Sequence, residues 1–206
     1  MTSGGDRPRA GAGGAYGDRV GSAETVIRAA VPADAEAWTD LHLDAWDDAY
    51  TGLMPEAFLR QRRVERAESV VRRRELLEGG ARVLLAVEPG GHDGAGDPGG
   101  ADGPGDSGEK LIGFASAGPA RDVDPPAAVE LTALYVRAER WGTGLGHRLL
   151  AAALADAGCT AADPVYLWVL EGNERAIGFY RRHGFELDGA VDPTPVGRHL
   201  RMQRRP

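Results

Sequence analysis

A chain of 206 residues suffices for one ordinary domain with a sizeable core. Its formal charge of −7, from 24 Lys and Arg against 31 Asp and Glu, offers no basic stripe to meet nucleic-acid phosphates. The single cysteine, Cys159, excludes an internal disulfide framework and fits a reducing compartment.

No apolar run reaches the roughly 18 residues of a membrane span, and the start of the chain lacks the apolar segment of a secretory signal. The cytoplasm is the expected location. Residues 1–23 are rich in Gly and Ala with no apolar period, the composition of a disordered tail, so the folded domain is expected over 24–206. Residues 89–109 are largely Gly, Pro, Asp and Ser, with five acidic side chains and no Lys or Arg, and read as a disordered insertion. Without that insertion the remainder carries only −2.

In chain order, residues 25–29 form the first predicted strand, which Pro32 and Asp34 end before a helix begins. Ala35, Trp38, Leu41, His42, Ala45, Trp46 and Ala49 then recur at three- and four-residue steps, the stripe of an amphipathic helix. Gly52 and Pro55 interrupt it, a second helix follows, and a charged third helix runs over about 64–77 to Gly79 and Gly80. "ARVLLAVE" and "KLIGFASAGPAR" are strands flanking the insertion, a hairpin with an inflated turn. In "AAVELTALYVRAE", Val129, Leu131, Ala133 and Tyr135 alternate with Glu130, Thr132, Leu134 and Val136, which predicts two faces of a third strand in this sheet.

A glycine loop then opens a helix from 145 to about 157, ending at Gly158. "PVYLWVLEGN" is a strand, "ERAIGFYRRHG" a helix, and "FELDGAV" with "GRHLRMQRR" a closing antiparallel pair. Helices before a hairpin-rich sheet that then gains a strand, helix, strand unit define a mixed α/β layer fold.

The glycine loop, "RWGTGLGHRLL", follows a strand and opens a helix, the arrangement that aims backbone N–H groups at an anion. A nucleotide P-loop needs Lys and then Ser or Thr after the last glycine, where this chain has His147 and Arg148. A dinucleotide fold calls for G-x-G-x-x-G after an early strand; the spacing here is G-x-G-x-G, late in the chain, although Glu171 at the end of the next strand is a partial match. A glycine turn without a ligand stays open on these residues alone.

Thirty residues on comes "NERAIGFYRRHGFE", in which Asn173 is a good helix N-cap and Gly184 a stop. Leu134-Tyr135-Val136, then Trp141-Gly142-Thr143-Gly144-Leu145-Gly146, then Asn173, Ala176, Phe179-Tyr180 and Gly184-Phe185 together resemble the GNAT superfamily of acetyl-CoA-dependent N-acetyltransferases. The resemblance implies a mixed, mostly antiparallel sheet of six to seven strands flanked by four to five helices. Acetyl-CoA is then the co-substrate, its pyrophosphate on the glycine loop and its pantetheine arm along residues 134–136, where the family's strand bulges away from its neighbour. Leu134, Tyr135, Val136, Trp141, Gly142, Thr143, Gly144, Leu145, Gly146, Asn173 and Ala176 are the implied cofactor contacts. The family carries Gln or Arg where this chain has Trp141, which shifts the expected grip from side chain to backbone amides.

Acetyl transfer to an amine by direct attack, through a tetrahedral intermediate, needs an oxyanion donor and a proton for the departing thiolate. By resemblance Tyr180 supplies that proton, since a phenol with pKa near 10 stays protonated at neutral pH. Glu130, in an otherwise apolar strand, is the candidate base for the incoming amine, with a solvent-facing glutamate as the alternative. Trp46, Tyr50 and Trp168 are the acceptor-side candidates. With Asp47 and Asp48 nearby, the aromatics would suit a cationic, polyamine-like amine, against the plainer reading of a core stripe and a solvated face. His147 and His183 sit beside the motifs without an evident partner and read as helix-surface residues.

The implied partner is a small-molecule or peptide amine, with neither nucleic acid nor membrane, and by resemblance a homodimer. No metal-ligand set is read. Alternatives are a catalytically silent acetyl-CoA sensor and an enzyme that acetylates protein N-termini.

Overall fold

The computed structural model describes residues 25–89, 108–160 and 162–205; the expected tail and residues 90–107 of the expected insertion lie outside them. The first predicted strand is β1 (Val26–Ala29), which pairs antiparallel with β2 (Leu84–Pro89). β2 pairs with β3 (Glu109–Pro119), and β3 with β4 (Val129–Val136), again antiparallel. β4 meets β5 (Val165–Leu170) in parallel; β7 (Gly197–Arg204) and then β6 (Phe185–Thr194) complete a seven-stranded sheet in the order β1-β2-β3-β4-β5-β7-β6. The hairpin strands reach further than expected. Pro89 and Glu109 belong to the ladder, and the Glu109 carboxylate accepts from Arg28 Nε and Nη2 at 3.2 and 2.7 Å.

Helices cover both faces. α1 (Ala35–Tyr50), α2 (Glu56–Val64) and α3 (Arg66–Glu78) lie on one side, where Trp38 and Leu41 pack against Leu85 and Phe114. His42, counted in the apolar stripe, stands edge-on to Trp46 and Phe114 at 5.4 and 5.1 Å and hydrogen-bonds Arg73. Burial, with Arg73 and Arg62 adding to it, pushes its pKa down to about 2, so the imidazole is neutral and packs as a ring. On the other side α4 (Leu145–Asp156) and α5 (Glu174–Arg182) cover the sheet, Leu149, Leu150 and Ala153 meeting Ile112, Leu131 and Val165.

The expected alternation of β4 fails at one residue. Ser116 opposes Ala133 and Ala117 opposes Leu131, so Thr132 is an extra residue, its hydroxyl donating to the Ser116 carbonyl at 3.0 Å. Because side chains alternate with period two, one inserted residue exchanges the faces beyond it. Val129 and Leu131 share a cluster with Leu134 and Val136, while Ala133 and Tyr135 join the α1 side. The bulge also falls earlier than the 134–136 expected from the resemblance.

α4 sits directly on β3 at Gly113, where an added Cβ would lie 2.9 Å from Leu149 Cδ1 and 2.9 Å from the Tyr135 carbonyl oxygen. Gly113→Ala is expected to destabilise the protein by about 1–3 kcal/mol through overpacking. Gly118→Ala, with nothing within 4 Å of the new Cβ, should stay within about 0.5 kcal/mol of wild type in urea unfolding.

Candidate active site

After Val136 the chain passes through a 3-10 turn, Ala138–Arg140, into the glycine loop. Gly142 and Gly144 have φ of +74° and +87°, the left-handed region in which a Cβ is strained. Gly144 caps α4 and has no side chain to occupy the free N–H groups, and no acidic residue stands in the first turn. The third glycine serves another purpose. A Cβ on Gly146 would lie 3.2 Å from Phe179 Cε2, so this residue sets how closely α4 approaches α5. The donors and positive end of the α4 dipole are thus left for an external anion.

In the middle of the sheet, β4 and β5 pair only at Val129 with Val165 and Glu130 with Tyr166. Beyond those positions a cleft of about 350 Å³ opens between the strands, bounded by the glycine loop and α5, with Tyr50 at the end of α1 on its far side. Leu134, Tyr135, Val136, Trp141, Gly142, Gly144, Gly146, Asn173 and Ala176 all line it. Thr143 and Leu145 do not: the Thr143 hydroxyl donates to the Arg140 carbonyl at 2.8 Å, and Leu145 is buried in the core under α4. Asn173 is buried, and its Oδ1 accepts from the Ala176 amide at 3.1 Å as the N-cap of α5. A slot between strands of unpaired backbone and a donor-rich loop at its mouth fit a pantetheine arm and a pyrophosphate respectively.

Tyr180 lies on the buried side of α5, its ring 5.3 Å from Phe179 and 5.8 Å from Phe185, and also faces the cleft. Burial raises its pKa above the ordinary phenol value, Tyr50 adding to the effect and Arg175 opposing it, so the hydroxyl is protonated at neutral pH. Across the cleft the Tyr50 and Tyr135 hydroxyls are 3.2 Å apart. The Tyr135 ring stacks on Phe114 at 5.2 Å on the α1 side, so this residue meets the cleft floor mainly as backbone. Trp168 faces the cleft from β5 with its Nε1 donating to the Asp122 carboxylate at 3.3 Å.

Two expected residues are placed elsewhere. Trp46 stands one layer behind Tyr50, 5.2 Å from it and 5.9 Å from Phe58, in the cluster of α1 and α2. Glu130 is buried below the point where the strands part; Arg121 grips it through Nε and Nη2 at 2.9 and 2.5 Å, and the Tyr166 hydroxyl donates at 3.3 Å. The nearby carboxylates are also committed. Asp47 pairs with Arg63, and Asp48 accepts from the Ala138 amide at 3.3 Å.

The cleft also holds residues that sequence reasoning passed over. Arg140, Arg175 and Arg182 are its charged side chains, and Arg140 is paired with Glu88. His147 and His183, read above as unpartnered, face each other at 3.0 Å from Nδ1 to Nε2, and His183 Nδ1 donates to the Phe179 carbonyl at 2.8 Å. The one available signal for Arg175 was its place two residues after the Asn173 cap; the histidines are 36 residues apart and carried none.

Comparison with known proteins defines the class. The sequence pattern of the acetyltransferase (GNAT) family matches residues 96–185. A "probable N-acetyltransferase" of Mycobacterium tuberculosis is 29% identical over 163 residues, 79% of this chain and 80% of that protein. The L-methionine sulfoximine/L-methionine sulfone acetyltransferase of Pseudomonas aeruginosa is 32% identical over 82 residues, 40% of this chain and 48% of that one. In structure, the PaiA N-acetyltransferase of Thermoplasma acidophilum in complex with coenzyme A superposes with a TM-score of 0.59 at 20% identity, covering 89% of this chain and 99% of that chain. Together these matches support an acetyl-CoA-dependent N-acetyltransferase of the GNAT family. Among the described residues no helix is long and apolar enough to cross a membrane.

Glu130→Gln keeps the shape of the side chain and removes the charge that Arg121 binds. It is expected to cost about 1–3 kcal/mol of stability in urea unfolding, the worth of a hydrogen bond to a charged group, with an unchanged pH profile of kcat/KM. A loss of rate at full stability would instead place Glu130 in the chemistry.

Proposed function

We propose that the protein transfers the acetyl group of acetyl-CoA directly to the primary amine of a small, amino-acid-like acceptor, with Tyr180 as proton donor. The observation that carries this reading is Tyr180 itself, which lines the cleft that opens between β4 and β5 and whose phenol is kept protonated by burial. The glycine loop and the α4 N-terminus hold the pyrophosphate, and Asn173 and the parted edge of β4 hold the arm. The amine nitrogen attacks the acetyl carbonyl carbon and the carbon–sulfur bond breaks. The departing thiolate takes the Tyr180 proton, and the new amide nitrogen loses its extra proton to water. A thiol's reference pKa near 8.5 lies below that of a phenol, so Tyr180 must act in concert with bond breaking, and its phenolate is then stabilised by the Arg175 charge.

Charge supports a choice of acceptor. The cleft's charged side chains are arginines, and Asp47 and Asp48 are engaged by Arg63 and the Ala138 amide. A polycation would therefore meet like charge, which disfavours the polyamine-like acceptor. An amine that carries its own carboxylate fits better, and the Pseudomonas relative is named for two amino-acid analogues.

Tyr180→Phe is expected to lower kcat by about a hundredfold or more while the calorimetric Kd for coenzyme A stays the same; wild-type turnover in the variant would remove the assigned role. In a thiol-release assay, neutral amino acids and methionine sulfone should turn over with higher kcat/KM than spermidine or putrescine. The reverse order would return the acceptor to the polyamine class.

A further inference from the structure

Trp141 stands where the family carries Gln or Arg, and its one polar atom is spent: Nε1 donates to the Val136 carbonyl at 2.9 Å. The position nevertheless carries a charge, supplied from another element. Arg175, in the first turn of α5, lays its guanidinium over the indole with Cζ 3.8 Å from the ring centroid. Among the described residues Arg175 makes no hydrogen bond and no ion pair, in contrast to Arg140, held by Glu88 at 2.5 Å; Tyr50, Tyr180 and, after them, Asp48 act on its charge from a distance. Arg182, the third arginine of the cleft, is exposed as Arg175 is, but it lies at the far end of α5 and among the described residues no aromatic ring holds it.

Arg175 is solvent-exposed on the rim of the cleft, where a guanidinium without a partner is open to an incoming anion. Although much of its surface is exposed, the protein packed around its stacked face lowers the pKa of Arg175, the direction expected of a cation short of a partner. The indole holds the planar group in place by cation–π contact and leaves its edge N–H donors free for bidentate pairing with phosphate or carboxylate oxygens. Trp141 immediately precedes Gly142, so the group it carries lies beside the loop that opens α4.

We propose that Arg175, seated on Trp141, is the side-chain anchor for the pyrophosphate of coenzyme A and restores from α5 the contact that position 141 has lost. The glycine loop supplies backbone donors and Arg175 supplies the charge. Trp141 is then a positioning residue, acting through the guanidinium it supports. The inference rests on acetyl-CoA use and is independent of which amine is acetylated.

The test is calorimetric binding of coenzyme A and of pantetheine, which lacks the pyrophosphate, to wild type, R175Q, R175K and W141A. R175Q should raise the Kd for coenzyme A by about tenfold or more, the worth of a charge-assisted hydrogen bond, and leave that for pantetheine unchanged. R175K, which keeps the charge but loses the planar fork, should fall between. W141A should weaken coenzyme A selectively, and adding W141A to R175Q should cost little more than R175Q alone. Equal weakening of both ligands by R175Q and R175K would mean that the arginine merely braces α5 and would overturn the proposal. So would an unchanged coenzyme A Kd accompanied by a raised acceptor KM, which would assign the guanidinium to an acceptor carboxylate.

Discussion

The site depends on one incomplete pairing. β4 and β5 are joined at two register positions and then part, in the middle of a seven-stranded sheet where strands otherwise stay paired. Backbone N–H and C=O groups on the parted edges need partners, and an extended amide-bearing arm can supply them as an added strand does. The cleft is thus an unfilled place in the sheet, and the helices that follow β4 and β5 both begin at its mouth. Their N-termini converge there because each helix continues its strand after a short turn.

Charge follows the same geometry. An α4 N-terminus without an acidic first turn, a glycine loop without side chains and three arginines around the cleft form a surface for a polyanion. Carboxylates on the α1 side are paired with Arg63 or with backbone before they reach the cleft. The division suits a cofactor that brings phosphates.

Much of this was readable beforehand. The order of strands and helices followed from periodicity and from glycine and proline punctuation, and the left-handed φ of Gly142 and Gly144 is what glycines at a strand-to-helix turn are for. Asn173 capping α5 is a local event within one turn. The bulge at Thr132 was not readable, because register is set by the opposing strand, and the faces assigned to Ala133, Leu134, Tyr135 and Val136 exchanged with it. Trp46 kept the helical period that suggested it, yet period alone does not distinguish a residue on the cleft from one a layer behind Tyr50.

Sequence by itself pointed to the family, the cofactor class and the glycine turn that opens α4, since these rest on short segments whose backbone needs are met within a few residues. Tertiary structure alone decided how far β4 and β5 stay together, that Glu130 is bound to Arg121, that His147 meets His183 and that Arg175 lies on Trp141. The strand and histidine contacts join residues about 36 positions apart in the chain, and the Trp141–Arg175 stack is similarly distant. The Glu130–Arg121 pair closes across the turn between β3 and β4. Such contacts exist only after the sheet has set its register and the two helices have packed at the distance that Gly146 allows.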